Sequence, residues 1–177
     1  MKEYSINCGE LRNYCKVLNA GDRVCLSGTV YTARDAAHKR IFELLKSGEP
    51  LPFNIKDAVI YYAGPTPTPN GMAIGSCGPT TSMRMDPYTP TLLDMGLCAT
   101  IGKGARNEQV IDAILRNNSV YLCAIGGAGA LAALKIKKCD VIAFGDLGCE
   151  SVKRLEFSGF PLIVGIDSHG GNLFKRK

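Results

Sequence analysis

Residues 64–90 are so dense in glycine, proline, serine and threonine that no long regular element can form there. The rest of the chain must therefore build a framework that holds a long irregular segment, and such segments inside compact domains usually carry function. That framework is legible on both sides. Arg23 to Tyr31 reads as a strand rich in Val, Leu, Thr and Tyr. A helix follows from about Thr32 to Lys46, with Ala37, Ile41, Leu44 and Leu45 on one stripe and a stop at Gly48 and Pro50. The Asp57–Ala63 run, containing Val59-Ile60-Tyr61-Tyr62, predicts a second strand. Beyond the irregular segment, helical and strand patterns return in Leu92–Leu97 and Ala99–Ile101. Asn107 is placed to cap a helix whose Val110, Ile111, Ile114 and Leu115 face the core. Short apolar runs at Val120–Ile125, Val141–Phe144 and Pro161–Ile166 each end at Gly, Asp or Ser. The mixed order predicts an α/β fold, and with no repeat, low-complexity tract or linker it is expected to form a single domain over 1–177.

Several function classes are disfavoured by composition. The 177 residues, 46% hydrophobic and 21% charged, can bury a core and are not those of a disordered chain. No apolar run approaches the ~18–20 residues of a membrane span. The polar start, Met1-Lys2-Glu3-Tyr4-Ser5, lacks a signal peptide's apolar stretch, so a cytoplasmic location is expected. The net charge of +5 gathers partly in Lys175-Arg176-Lys177 and in Lys135, Lys137 and Lys138. Without a longer basic stripe or interleaved aromatics these read as solvated faces rather than a nucleic-acid surface, while a mild positive bias suits an anionic ligand. The eight cysteines form no CxxC pair, and Cys25, Cys98 and Cys123 sit inside apolar runs as small buried hydrophobes. A disulfide framework is disfavoured, and a self-contained zinc or iron–sulfur site would need tighter ligand spacing.

Three segments set polar functional groups beside glycines or in loops. In Ser27–His38 a strand gives way to a helix and places Arg34 in the first helical turn, where the helix dipole disfavours a cation unless Asp35 compensates. In Gly75–Asp86, Thr80, Thr81, Ser82 and Arg84 combine hydroxyls with a guanidinium on a glycine-rich loop, which is anion-binding chemistry; a hydroxyl-rich turn satisfying its own backbone is the plainer reading. In Ile101-Gly102-Lys103-Gly104 the flanking glycines let a ligand approach the ammonium, and an exposed loop lysine is the plainer reading. A fourth stretch, Gly126-Gly127-Ala128-Gly129-Ala130-Leu131-Ala132, contains G-x-G-x-x-A with Asp146 near the spacing of a ribose-binding acid. It stands too late in the chain for the remaining strands of a Rossmann unit, which leaves a tight helix–strand turn or an anion-facing turn. His38 is expected to pack on its helix, and His169 to be structural.

Taken together, the segments Ser27-Gly28-Thr29, Arg34-Asp35-Ala36-Ala37-His38, Tyr62-Ala63-Gly64-Pro65, Gly78–Asp86, Ile101–Gly104 and Gly126–Leu131 resemble, in order and over nearly the whole chain, the β subunit of class I fumarases and L(+)-tartrate dehydratases. The resemblance implies a three-layer β/β/α swivelling domain with mixed sheets. It implies a partner α subunit holding a 4Fe-4S cluster, with no cluster held by this chain, and reversible hydration of a small dicarboxylate, fumarate to malate or, alternatively, tartrate dehydration. In that setting Arg34, Arg84 and Lys103 would bind substrate carboxylates, and Thr80, with Thr81 as its neighbouring rival, would serve proton transfer. A hetero-oligomer is expected, with a homodimer of the isolated subunit as a second arrangement. The competing non-enzymatic readings are a nucleotide- or anion-binding module using Gly126–Ala132 and an assembly partner whose arginines serve an interface.

Overall fold

The computed structural model describes residues 1–175; Arg176 and Lys177 of the basic tail lie outside the described residues. Strands β1 (Glu3–Asn7), β2 (Arg23–Thr32), β3 (Val59–Tyr61), β4 (Ala99–Gly102), β5 (Val120–Cys123), β6 (Ile136–Ala143) and β7 (Val152–Ile166) form one sheet in the order β1-β2-β3-β4-β5-β7-β6. The helices are α1 (Leu11–Tyr14), α2 (Asp35–Ser47), α3 (Thr89–Asp94), α4 (Glu108–Arg116) and α5 (Gly129–Leu134). The fold is α/β, as expected. Strands β1 to β5 run parallel to one another. The long β7 runs antiparallel to β2, β5 and β6, and because it pairs with both β2 and β5 it closes the sheet into a ring.

Two cores flank the parallel strands because successive side chains alternate between faces. Val59, Tyr61, Ala99, Ile101, Val120 and Leu122 pack with Leu155, Phe157, Phe160 and Leu162 of β7. Ile60, Tyr62 and Tyr121 pack on the other side with Ala37 and Ile41 of α2, Leu92 and Leu93 of α3, and Val110 and Ile114 of α4. Strands buried on both faces carry apolar residues at consecutive positions, which is why β3 and β5 read as unbroken runs. The Asn107 cap forms as expected, its side-chain oxygen accepting the Val110 N–H at 2.9 Å.

Some boundaries differ from the expectation. Strand β2 continues through Thr32, and α2 begins only at Asp35, so Arg34 is the N-cap residue rather than part of the first turn. The runs at Val141–Phe144 and Pro161–Ile166 are the ends of longer strands, and β1 was not anticipated. Within 64–90 only a 3-10 turn, Ser82–Met85, and the first residues of α3 are regular.

Candidate anion site at the ends of the parallel strands

The C-terminal ends of β2, β3, β4 and β5 lie side by side, the edge at which open parallel sheets collect ligands. Arg34 follows β2, Gly64 follows β3, Lys103 follows β4 and Gly126 follows β5. The irregular segment crosses this edge. Thr80 N–H donates to Tyr62 O at 2.7 Å, Lys103 N–H to Thr80 O at 3.3 Å, and Ser82 N–H to Lys103 O at 2.9 Å. Thr80 and Thr81 are thus held against Lys103 as an extra strand-like pairing. The approach requires Gly102, since a Cβ there would collide with Ser82 Oγ. Thr80 is half-buried, whereas Thr81, Arg84 and Lys103 are exposed.

The arginines are joined through Asp35. One Asp35 oxygen lies 2.9 Å from Arg84 Nε, and the other lies 3.8 Å from Arg34 Nη2, which is also 3.5 Å from Glu150. The compensation expected of Asp35 is therefore present, and it extends to a second arginine. Gly64 makes room for the Arg34 guanidinium: a Cβ there would sit 2.7 Å from Nη1. Among the described residues neither guanidinium makes a side-chain hydrogen bond, and neither does the Lys103 ammonium, whereas Arg12, Arg40, Arg106, Arg116 and Arg154 all do. Among the described residues Arg34 Nε and Asp35 Oδ2 are buried without a hydrogen-bond partner, as is His38 Nε2.

His38 is fully buried beside Tyr62 and Tyr88, and burial pushes its imidazole down to about 4, so it is neutral. Its Nδ1 is 2.9 Å from Arg34 O; a carbonyl only accepts, so the Nδ1–H tautomer donates. The packing role expected of His38 holds. His169 Nε2 contacts Lys16 O at 2.7 Å, away from this edge.

A second group of residues was not singled out from the sequence. Arg106, fully buried, donates from Nε to Asp86 Oδ1 at 2.7 Å, from Nη1 to Thr100 at 3.1 Å and from Nη2 to Thr89 at 2.8 Å. It packs over the rings of Tyr62 and Tyr121. Asp86 also accepts the Asn107 N–H at 2.8 Å. These bonds anchor the end of the turn that carries Arg84. Tyr121 O–H donates to Gly104 O at 2.9 Å and so accepts from Ser82 Oγ, also at 2.9 Å, tying the start of that turn to β5. The local signal was only Asp86 closing a glycine-rich motif; its partner stands twenty residues on.

The glycine turn after β5 is occupied by packing. Gly129 O accepts the Cys77 N–H at 3.0 Å, and a Cβ at Gly129 would sit 2.9 Å from Gly78 N. Asp146 is engaged by both terminal nitrogens of Arg40 rather than open to a ribose. Gly126 lies close to the Lys103 stem, a Cβ there being 3.5 Å from Cδ.

The sequence profile described as "Fumarase C-terminus" matches residues 1–177. The chain belongs to the fumarase C-terminus family. Among relatives of this fumarase domain, fumarate hydratase 2 of Leishmania major is 43% identical over 158 residues, covering 88% of the chain but 28% of that protein. A putative L(+)-tartrate dehydratase subunit beta of Methanocaldococcus jannaschii is 41% identical, covering 90% of the chain and 85% of the relative. The L(+)-tartrate dehydratase subunit beta of Escherichia coli is 32% identical, covering 88% and 79%. The chain thus spans little more than a quarter of the fumarate hydratases it matches and most of the tartrate dehydratase subunits.

The cysteines of this fumarase domain do not fit an iron–sulfur cluster. All eight are free, and no group of three or more His, Cys, Asp or Glu among the described residues is arranged around a metal position. Burial pushes the Cys8 and Cys77 thiols up to about 12, as expected of small side chains packed in the core. The cleft of about 600 Å3 around Arg12, Lys16 and Asp57 and the apolar groove of about 310 Å3 around Ile125, Leu131 and Phe160 include none of Arg34, Thr80, Arg84 and Lys103.

Proposed function

We propose that this fumarase domain, 1–177 as one unit, is the β component of a hydro-lyase that interconverts fumarate and malate in the cytoplasm, sharing its active site with an α subunit. The observation that carries the reading is the edge of parallel strands where Arg34 and Arg84 share Asp35 and where the Thr80 backbone pairs with Lys103, the three cationic side chains making no side-chain hydrogen bond among the described residues. Arg34 and Arg84 bind substrate carboxylates, and Lys103 adds a third positive charge. Charge-assisted hydrogen bonds of this kind contribute ~1.5–3 kcal/mol each, more once water is excluded. Carboxylate charge grows as the C–H proton leaves, so the cations favour the transition state over the ground state.

Thr80 is the proton-transfer group, held by its backbone on both sides, with the more exposed Thr81 its alternative. Its hydroxyl is a weak base and depends on neighbouring cations and a partner-chain acid–base group. A 4Fe-4S cluster held by the α subunit would supply Lewis-acid chemistry toward the substrate hydroxyl. The open position of the site suits completion by another chain, as do the exposed Ile125, Leu131 and Leu134 around the glycine turn. The parallel sheet with helices on one face and the antiparallel β6–β7 ribbon on the other supports a three-layer swivelling class.

Tartrate is the second substrate reading, since two of the similar proteins are L(+)-tartrate dehydratase β subunits. Anaerobic mixing of this chain with its cluster-bearing α partner is expected to produce fumarate hydration that neither chain has alone. Activity of the isolated chain, or none in the mixture with fumarate, malate or tartrate, overturns the proposal.

A further inference from the structure

We propose that Asp35 is the positioning residue that aims both guanidinium groups at one ligand carboxylate, a reading that rests on the function proposed above. Asp35 is the first residue of α2, and its two oxygens face different arginines. It takes Arg84 by Nε, which leaves both Nη groups of that guanidinium without a protein partner among the described residues. A carboxylate meets such an open end with two parallel N–H···O bonds. Glu150 holds Arg34 from the other side, and its Oε2 accepts the Ala36 N–H at 2.9 Å, so it is itself tied to the first turn of α2. Both arginines are therefore referred to one helix start, although Arg84 comes from a 3-10 turn far along the chain.

Stability alone does not account for this arrangement. Arg34 Nε is a buried donor with no hydrogen-bond partner among the described residues, and such a donor costs free energy unless an external acceptor uses it. Asp35 and Glu150 balance Arg34 and Arg84 within the cluster, so a ligand carboxylate is met by directed N–H groups rather than by a surplus of charge. The carboxylate of Asp35 touches no substrate atom in this scheme; it acts through the arginines.

The test uses the complex reconstituted with the α partner and compares wild type, Asp35→Asn and Asp35→Glu. Steady-state kinetics with fumarate are read beside thermal melting. Loss of the charge is expected to raise KM roughly tenfold with a smaller fall in kcat, and Asp35→Glu to restore KM to within about threefold, at similar melting temperatures. KM unchanged within about twofold in Asp35→Asn, or equal defects in Asn and Glu variants, overturns the inference while leaving the hydro-lyase reading in place. An inactive wild-type complex overturns that reading first, and this inference with it.

Discussion

Arg106 Nε and Asp86 Oδ1 lie 2.7 Å apart, with neither side chain reaching solvent by more than 2%. Charges so placed are retained only when paired and hydrogen-bonded, and here Thr89, Thr100 and the Asn107 N–H complete the set. The pair links α4 to the turn that carries Arg84, so the fold and the site share one anchor. Arg106→Ala leaves Asp86 charged and unpaired, and is expected to cost about 3–5 kcal/mol in urea unfolding. Arg106→Lys cannot reproduce the forked contacts and is expected to recover less than half of that loss.

Arg84→Ala and Thr80→Ala are expected to differ in kind. Losing the guanidinium should cost about 1.5–3 kcal/mol of substrate binding and reduce turnover as well. Losing the hydroxyl should lower kcat roughly 10²–10⁴-fold with little change in KM. Steady-state kinetics of the reconstituted complex check both; near-normal rates in the pair would remove these residues from the site.

Gly64→Ala tests where Arg34 stands. The new methyl would lie 2.7 Å from Nη1, 3.1 Å from Cδ and 3.3 Å from Cys149 O. Displacing a flexible guanidinium relieves most of the ~1–3 kcal/mol such crowding costs. KM should therefore rise several-fold while the melting temperature changes little. An unaltered KM would show that Arg34 binds nothing from this position.

His38 sets an acid limit on stability. Burial lowers its folded-state value to about 4 from the ordinary 6.5, so the unfolded chain binds the extra proton between those values. The contribution is whole above about pH 6.5 and is lost as pH falls toward 4, by roughly 3 kcal/mol. Urea unfolding at pH 7.5 and pH 5 should show a larger acid loss for wild type than for His38→Gln. Equal losses would mean that His38 is protonated without cost.

Where the signal was local, it was legible. The stripe of α2, the Asn107 cap and the apolar runs of β3 and β5 depend on residues within a turn or two of one another. Strand β7 was half hidden, because the expected run began only at Pro161 whereas the strand begins at Val152. In the structure Gly159, at φ 60°, serves a bulge: β7 advances from Phe157 to Phe160 while β2 advances only from Gly28 to Leu26, and Pro161 pairs on with Cys25. The glycine turn at 126–129 was legible as a turn, but its use was not, because Cys77 and Gly78 come from a distant loop.

By itself the sequence determined the α/β alternation, the irregular segment between its halves and the hydroxyls and cations that segment and its neighbours carry. Only the tertiary structure decided that β7 closes the sheet, that Arg106 neutralises Asp86 and that Asp35 serves two arginines. Periodicity, caps and turns follow from torsions and neighbours a few residues apart. Which charges meet depends on strand order and register between segments up to a hundred or more residues apart, and on which of those groups burial then forces into pairs.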